Sequence, residues 1–466
     1  MSIGMKKWIV SDKHFYSQVL YLSAPIALQS LITIGVNMLD TIMVGRLGET
    51  ELSATSLANQ FITIYHIFCM GIGMGASVLV SRYWGMREKE QDKALEALRK
   101  TICIMLRVTL GLALLFAMAT LFIPNTIMSM YTPDKEIISL GAIYFRYSVV
   151  TYFFLGLSLV CTIVLRSVGQ VKLPLFVSMG AFVVNLGANY TFIFGKLGMP
   201  RMGVAGAALG TLIARVFETV IICGYLLFRD ERIGFRLKHI KMKVGDLLGE
   251  YIRISIPVLI SDGILAIGNN AVAMVIGRLG KTFVAANAIT SVTQQMSTVL
   301  IQGVSQAGAI VTGQTLGRGD KTKAMDQGYG FLGLGVALGT LSAVFIMVVS
   351  GPIIRSYNVS AETASVARQL MNAISLIIVF QATNSIMTKG VLRGGGDTKI
   401  LMLADNIFLW VLSIPLGILA GLVLKLPAFW IYVCLKSENL AKTIWCVFRL
   451  RSGKWIKKIS AGKTEE

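Results

Sequence analysis

The strongest constraint in this chain is a repeat: one pattern of long apolar runs occurs twice, 232 positions apart. Gly45-Arg46-Leu47-Gly48 returns as Gly277-Arg278-Leu279-Gly280. The same shift pairs Ser23 with Ser255, Pro25 with Pro257, Asn37 with Asn269, Thr50 with Thr282, Ala54 with Ala286, Gly71 with Gly303 and Gly85 with Gly317. Identities at glycine, proline, asparagine and arginine in one ungapped register go beyond what shared hydrophobicity generates. A chain written twice in this way is expected to fold as two similar lobes.

The repeated unit is a set of bilayer-crossing segments. Of the 466 residues, 55% are hydrophobic and 15% charged, and the mean hydropathy is +0.69. Apolar runs of about 20 residues, the length needed to cross the hydrocarbon, recur throughout. Backbones in lipid must satisfy their own hydrogen bonds, and helices do so within one segment. The predicted fold is therefore an all-α polytopic membrane protein, with twelve transmembrane helices in two pseudo-symmetric six-helix lobes. The predicted spans are 18–44, 53–80, 101–123, 137–164, 174–195, 203–228, 254–276, 285–312, 328–349, 364–388, 400–424 and 427–448. The twelfth is interrupted by Lys436 and Glu438, so an interfacial amphipathic helix is its alternative. The first span reads as a retained anchor because no small-residue cleavage site follows it. The organisation expected is an N-terminal segment 1–17, a lobe 18–228, a basic linker 229–253, a second lobe 254–448 and a basic tail 449–466. Paired lobes of this kind suggest a transporter with its substrate between them.

Charge sets the orientation. Most of the 44 Lys and Arg lie at the amino terminus, at the even-numbered turnarounds and in the tail, which predicts that both termini are cytoplasmic. The formal net charge of +20 sits beside span ends, where anionic lipid headgroups account for it without nucleic acid. The 6 cysteines and 3 histidines show no metal-ligand spacing. No phosphate-binding loop is present either. Gly71-Ile72-Gly73-Met74-Gly75 lies inside an apolar span, where glycines permit close helix packing. The chain is thus not expected to be an enzyme or to carry a cofactor, and transport would run on an ion gradient.

Intramembrane polar residues mark candidate sites, because a charge in hydrocarbon is costly and usually faces a bundle interior or a water path. Asp40, Glu218, Asp262 and Asp405 fall within the spans. Asp40 stands out, with Asn37 one turn earlier and Thr41 beside it. A carboxylate among amide and hydroxyl oxygens suits a small hard cation, and it equally suits a proton. Asn185 and Asn189, four apart on one helical face, either tie helices together or share in binding an ion. Thr211 lies in the sixth span. In the second lobe, Asp262 follows Pro257, with Asn269 and Asn270 further along. Gln294, Gln381 and Asn384 are candidate lining of a second-lobe or substrate cavity. Glu218 and Asp405 are candidates to pair with an intramembrane arginine such as Arg215.

The segment Asp40-Thr41-Ile42-Met43-Val44-Gly45-Arg46-Leu47-Gly48 and its echo at Gly277–Gly280 resemble the multidrug and toxic compound extrusion family. So do Leu165-Arg166-Ser167-Val168-Gly169-Gln170 and Leu392-Arg393-Gly394-Gly395-Gly396-Asp397-Thr398. The last two lie 227 apart and extend the repeat with a small indel. The resemblance covers roughly residues 15–458. It implies twelve spans in two lobes and export of amphipathic or organic cationic compounds in exchange for Na+ or H+. By resemblance Asp40 is the first-span acid, and Asn185, Asn189 and Thr211 complete a cation site with it. Some members carry an acid where this chain has Asn189, and others use an acid in span ten, near Asn384 here. The implied partners are a small-molecule substrate and the lipid bilayer, with the protein functioning as a monomer. The alternative is a flippase for a lipid-linked precursor, which would require a strongly cationic cavity.

Overall fold

The computed structural model describes residues 12–357 and 359–459. Residues 1–11 and 460–466, the ends of the predicted N-terminal and tail segments, lie outside them. Among the described residues every regular element is helical. The first half contains α1 (Lys13–Gly45), α2 (Glu49–Met86), α3 (Gln91–Phe122), the short α4 (Pro124–Ser129), α5 (Lys135–Ser148), α6 (Thr151–Ser167), α7 (Lys172–Phe194) and α8 (Val204–Gly224). The second contains α9 (Gly245–Arg278), α10 (Lys281–Gly317), α11 (Lys321–Ser356), α12 (Ala361–Ser385), α13 (Thr398–Ile407), α14 (Ile414–Ile418), α15 (Ala428–Leu435) and α16 (Ser437–Arg451). Nine helical segments among the described residues are long and apolar enough to cross a membrane, and the pair α5–α6 makes a tenth. The protein is an all-α, multi-pass membrane protein.

Helix lengths repeat as the sequence does. α1 and α9 have 33 and 34 residues, and α2 and α10 have 38 and 37. Pro25 and Pro257 both lie inside continuous helices. The predicted fourth span is instead two helices bent by 58° around residues 149–150. Spans ten and eleven contain wider π turns at Ile386–Leu392, Phe408–Ser413 and Leu419–Val423. The predicted twelfth span is α15 and α16, broken at Lys436.

Two compact units emerge, one of residues 28–84 and 90–259, the other of residues 12–27, 85–89 and 260–459. In the first, the early half of α9 lies against α2. A Cβ on Gly71 would come within 2.7 Å of Leu259, and one on Gly75 within 2.3 Å of Ser255. In the second, the early half of α1 lies against α10, where a Cβ on Gly303 would meet the Ser23 carbonyl at 2.6 Å. The glycines paired by the repeat therefore do the same work twice, admitting a backbone that any side chain would push away.

Each unit carries a polar-side cap. In the first, the linker turn Leu237–Lys241 is held on α3. Arg99 Nε donates to the Ile233 carbonyl at 2.9 Å, and Arg107 Nη2 donates to those of Ile240 and Met242 at 2.7 and 3.0 Å. In the second, the chain after α16 folds back on the turn before α13. Buried Asp397 accepts from Arg449 Nε and Nη2 at 2.7 and 3.0 Å, and Lys457 Nζ lies 3.4 Å away. Trp455 is fully buried there, against Gly395.

Candidate functional site

The first unit contains an open-sided cavity of about 660 Å³, walled by α1, α2, α5, α6, α7 and α8. Its lining includes the polar residues Asn37, Asp40 and Thr41 on α1, Asn185 on α7, and Thr211, Arg215 and Glu218 on α8, all singled out by the sequence. These helices bring the first-lobe candidates together because each faces its polar side inward while large apolar residues such as Leu31, Phe176 and Val220 face out.

At the centre is Asp40, half-buried. Its Oδ1 accepts a 2.6 Å hydrogen bond from Asn189 Nδ2, and the same amide nitrogen lies 3.3 Å from Asn185 Oδ1. Asn189 is fully buried and Asn185 nearly so. The Asn189 Oδ1 has no hydrogen-bond partner among the described residues. Gly210 on α8 is what makes room for this amide, since a Cβ there would stand 2.1 Å from Asn189 Oδ1. Thr41 spends its hydroxyl proton on the Asn37 carbonyl at 2.8 Å, leaving its oxygen lone pairs. Asp40 has no ion pair with a basic side chain among the described residues.

The other charged side chains of the cavity, Arg166, Arg215 and Glu218, are each hydrogen-bonded, and two of them pair with each other. Arg215 Nη1 donates to Glu218 Oε2 at 2.7 Å, and Ser158 Oγ lies 3.4 Å from the same oxygen. Arg166 Nη2 donates to Gln29 Oε1, and Gln29 Nε2 donates to Ser178 Oγ at 2.6 Å. Tyr144 donates to Asn59 Oδ1 at 3.2 Å. His66 also lines the cavity. The sequence signalled the Arg215–Glu218 pair by its spacing of three on one helix. It gave no sign of Gln29, Ser178 or Asn59, which are unremarkable as single polar residues in long apolar runs.

The second-unit candidates do not assemble into one site. Asp262 pairs with Arg393 at 3.1 Å. Gln294 Nε2 donates to Gln381 Oε1 at 2.8 Å, and Tyr432 donates to Gln294 Oε1 at 3.1 Å. Asn384 Nδ2 instead donates to Asn439 Oδ1 at 3.2 Å. Asn269 is exposed. Asp405 pairs with Lys442, not with an arginine, at 3.2 Å. Among the described residues no group of three or more His, Cys, Asp or Glu is placed to hold a metal ion. Any small cation in the first unit would be held by one carboxylate with neutral oxygens.

Known proteins place this geometry in context. The MatE family profile matches residues 25–191 and 257–419, once in each half of the repeat. The chain is 27% identical over 409 residues to the multidrug resistance protein NorM of Burkholderia vietnamiensis, covering 85% of each. It is 24% identical over 467 residues to an uncharacterized transporter, YisQ, of Bacillus subtilis, covering 98% of each. Its fold resembles a mutant of the Vibrio cholerae MATE transporter VcmN, with TM-score 0.84 at 16% identity over 97% of this chain and 100% of that one. A Pyrococcus furiosus transporter of the MOP superfamily gives 0.82 at 19% identity, over 97% and 99%.

Proposed function

The chain belongs to the MatE family, and from that membership we propose that it is a secondary active exporter of amphipathic or organic cationic compounds, exchanging them for Na+ or H+ by alternating access. It is a transporter, not an enzyme, and a multi-pass protein of the cell membrane. The observation that carries the finer reading is Asp40. It is an acid inside a span, facing a cavity, held by the amide of Asn189 and not by a fixed basic group. A carboxylate left in that state is available to a mobile cation, whereas one already paired with arginine is not.

The neighbouring groups support the same reading. Turning the Asn189 carboxamide over would exchange its donor for the oxygen that lacks a partner. Asp40 would then be accompanied by the oxygens of Asn189, Asn185 and Thr211, the hard donors that Na+ prefers. A proton on Asp40 would need none of them. Exchange requires that the cation bind one conformer better than the other, because equal affinity shifts no equilibrium. Reading the repeat as lobes 18–228 and 254–448 joined by a cytoplasmic linker, with both termini cytoplasmic, follows from the basic residues at the span ends. A single chain contains both lobes and is proposed to work as a monomer. The flippase alternative would need a strongly cationic cavity, whereas here Arg215 is paired with Glu218 and Arg166 is the one further arginine among the described lining residues.

Efflux of a fluorescent organic cation from proteoliposomes, under a sodium gradient and a proton gradient imposed separately, tests this reading. Acceleration by one gradient identifies the coupling ion. Indifference to both, from folded protein that binds the dye, would contradict it.

A further inference from the structure

The two units carry the same polar node with different charges. The repeat places Ser261 at the position of Gln29, and the later shift of 227 places Asp405 at that of Ser178. The hydrogen bonds agree: Gln29 Nε2 donates to Ser178 Oγ at 2.6 Å, and Ser261 Oγ donates to Asp405 Oδ2 at 3.1 Å. A second pair fixes the register of the last span. Thr219 donates to the Phe154 carbonyl at 2.8 Å, and the Thr443 hydroxyl is shared between the Phe380 carbonyl at 2.9 Å and that of Asn439 at 2.7 Å. The residues just before these threonines are Glu218 and Lys442. Going from the first unit to the second, a serine has become an acid and an acid has become a base.

The two new charges meet. Lys442 Nζ lies 3.2 Å from Asp405 Oδ1, with side chains only 5% and 6% exposed. A lone carboxylate so deeply buried would have to acquire a positive partner, because removing a charge from water costs several kcal/mol. Here the partner is covalently tethered. The repeat puts buried Val272 where Asp40 stands, so the second unit has no acid at the matching position. Its Asp262 is likewise paired, with Arg393.

We propose that Lys442 is a built-in cation that takes, at Asp405, the place an exchangeable ion would otherwise occupy, so that the second unit contributes no coupling ion. This rests on the exchange reading above and adds which unit counts the ions. The other titratable groups on the same helical stripe are Glu438, one turn before Lys442, and Cys446, one turn after. Glu438 is 8% exposed and its Oε2 has no hydrogen-bond partner among the described residues. It is the competing candidate for a second-unit ion.

The test is the number of cations exchanged per substrate molecule, read from the substrate gradient that balances a fixed ion gradient in proteoliposomes. Wild type, K442M, K442M/D405N and E438Q are compared. K442M is expected to gain one exchanged cation, H+ or Na+, and K442M/D405N to return to the wild-type count. An unchanged count in K442M, or the same gain in K442M/D405N, overturns the proposal. A lower count in E438Q also overturns it, because the second unit would then carry an exchangeable ion. If K442M is only weakly folded, its melting temperature in detergent replaces the count. A sodium- or acid-dependent stabilisation absent from wild type and K442M/D405N supports the proposal, and its absence overturns it. Failure of the exchange reading itself is separate, since it shows as wild-type transport that ignores both gradients.

Discussion

The Asn189 carboxamide is the residue on which ion selectivity should turn. It touches Asp40, touches Asn185, and keeps one oxygen without a partner. Replacing it with alanine removes the oxygen that the turned-over amide would offer to Na+, so half-maximal activation by sodium should need roughly ten- to a hundredfold more of it, as for lost partners of other ion sites. Were the coupling ion a proton, losing the donor that favours charged Asp40 should instead ease protonation. Gly210→Ala should act the same way without touching Asp40, since its methyl would stand where Asn189 Oδ1 lies. Cation titrations of dye efflux check both; wild-type activation in G210A would mean the amide has slack. At this scale the sequence was informative where chemistry is rare. Asp40, Asn185 and Asn189 were legible because a span has few polar positions and these fall on inward faces. Lys442 was not, because it lies in an interrupted segment where a basic residue reads as belonging to a surface. Its partner comes from another helix altogether, so no spacing reveals it.

Among the helices, the all-α, multi-pass character was legible from hydropathy. Ten of the twelve expected spans pass by length and apolarity among the described residues, and the fine shape was not legible. The bend between α5 and α6 has no proline or glycine pair to announce it. The π turns of spans ten and eleven likewise leave no mark in an apolar run. The motif Leu392–Thr398 was recognised by resemblance, but its physical role appears only when the tail closes on it. Arg449 and Lys457 both reach Asp397, and Trp455 covers Gly395. Arg449→Ala should therefore leave a buried carboxylate short of its main partner, at a cost of about 3–5 kcal/mol. Thermal melting in detergent should fall by several degrees or more, while ion-dependent efflux by the folded remainder persists. An unchanged melt with lost efflux would instead put this clamp in the transport cycle.

Across the whole molecule, the repeat was the most legible feature and the most consequential. The register that pairs Gly71 with Gly303 in sequence also pairs their close helix contacts. What sequence identity could not convey is how the copies have diverged in charge. The first keeps an acid without a fixed basic partner, while the second pairs Asp262 with Arg393 and Asp405 with Lys442. An exporter coupled at one acid should lose coupling, but not substrate movement, when that acid is neutralised. The most direct measurement is dye transport in proteoliposomes by wild type and Asp40→Asn, each with an ion gradient and with a dye gradient alone. The account predicts that D40N exchanges dye down its own gradient but gains nothing from sodium or protons. Ion-driven uphill efflux by folded D40N would contradict it.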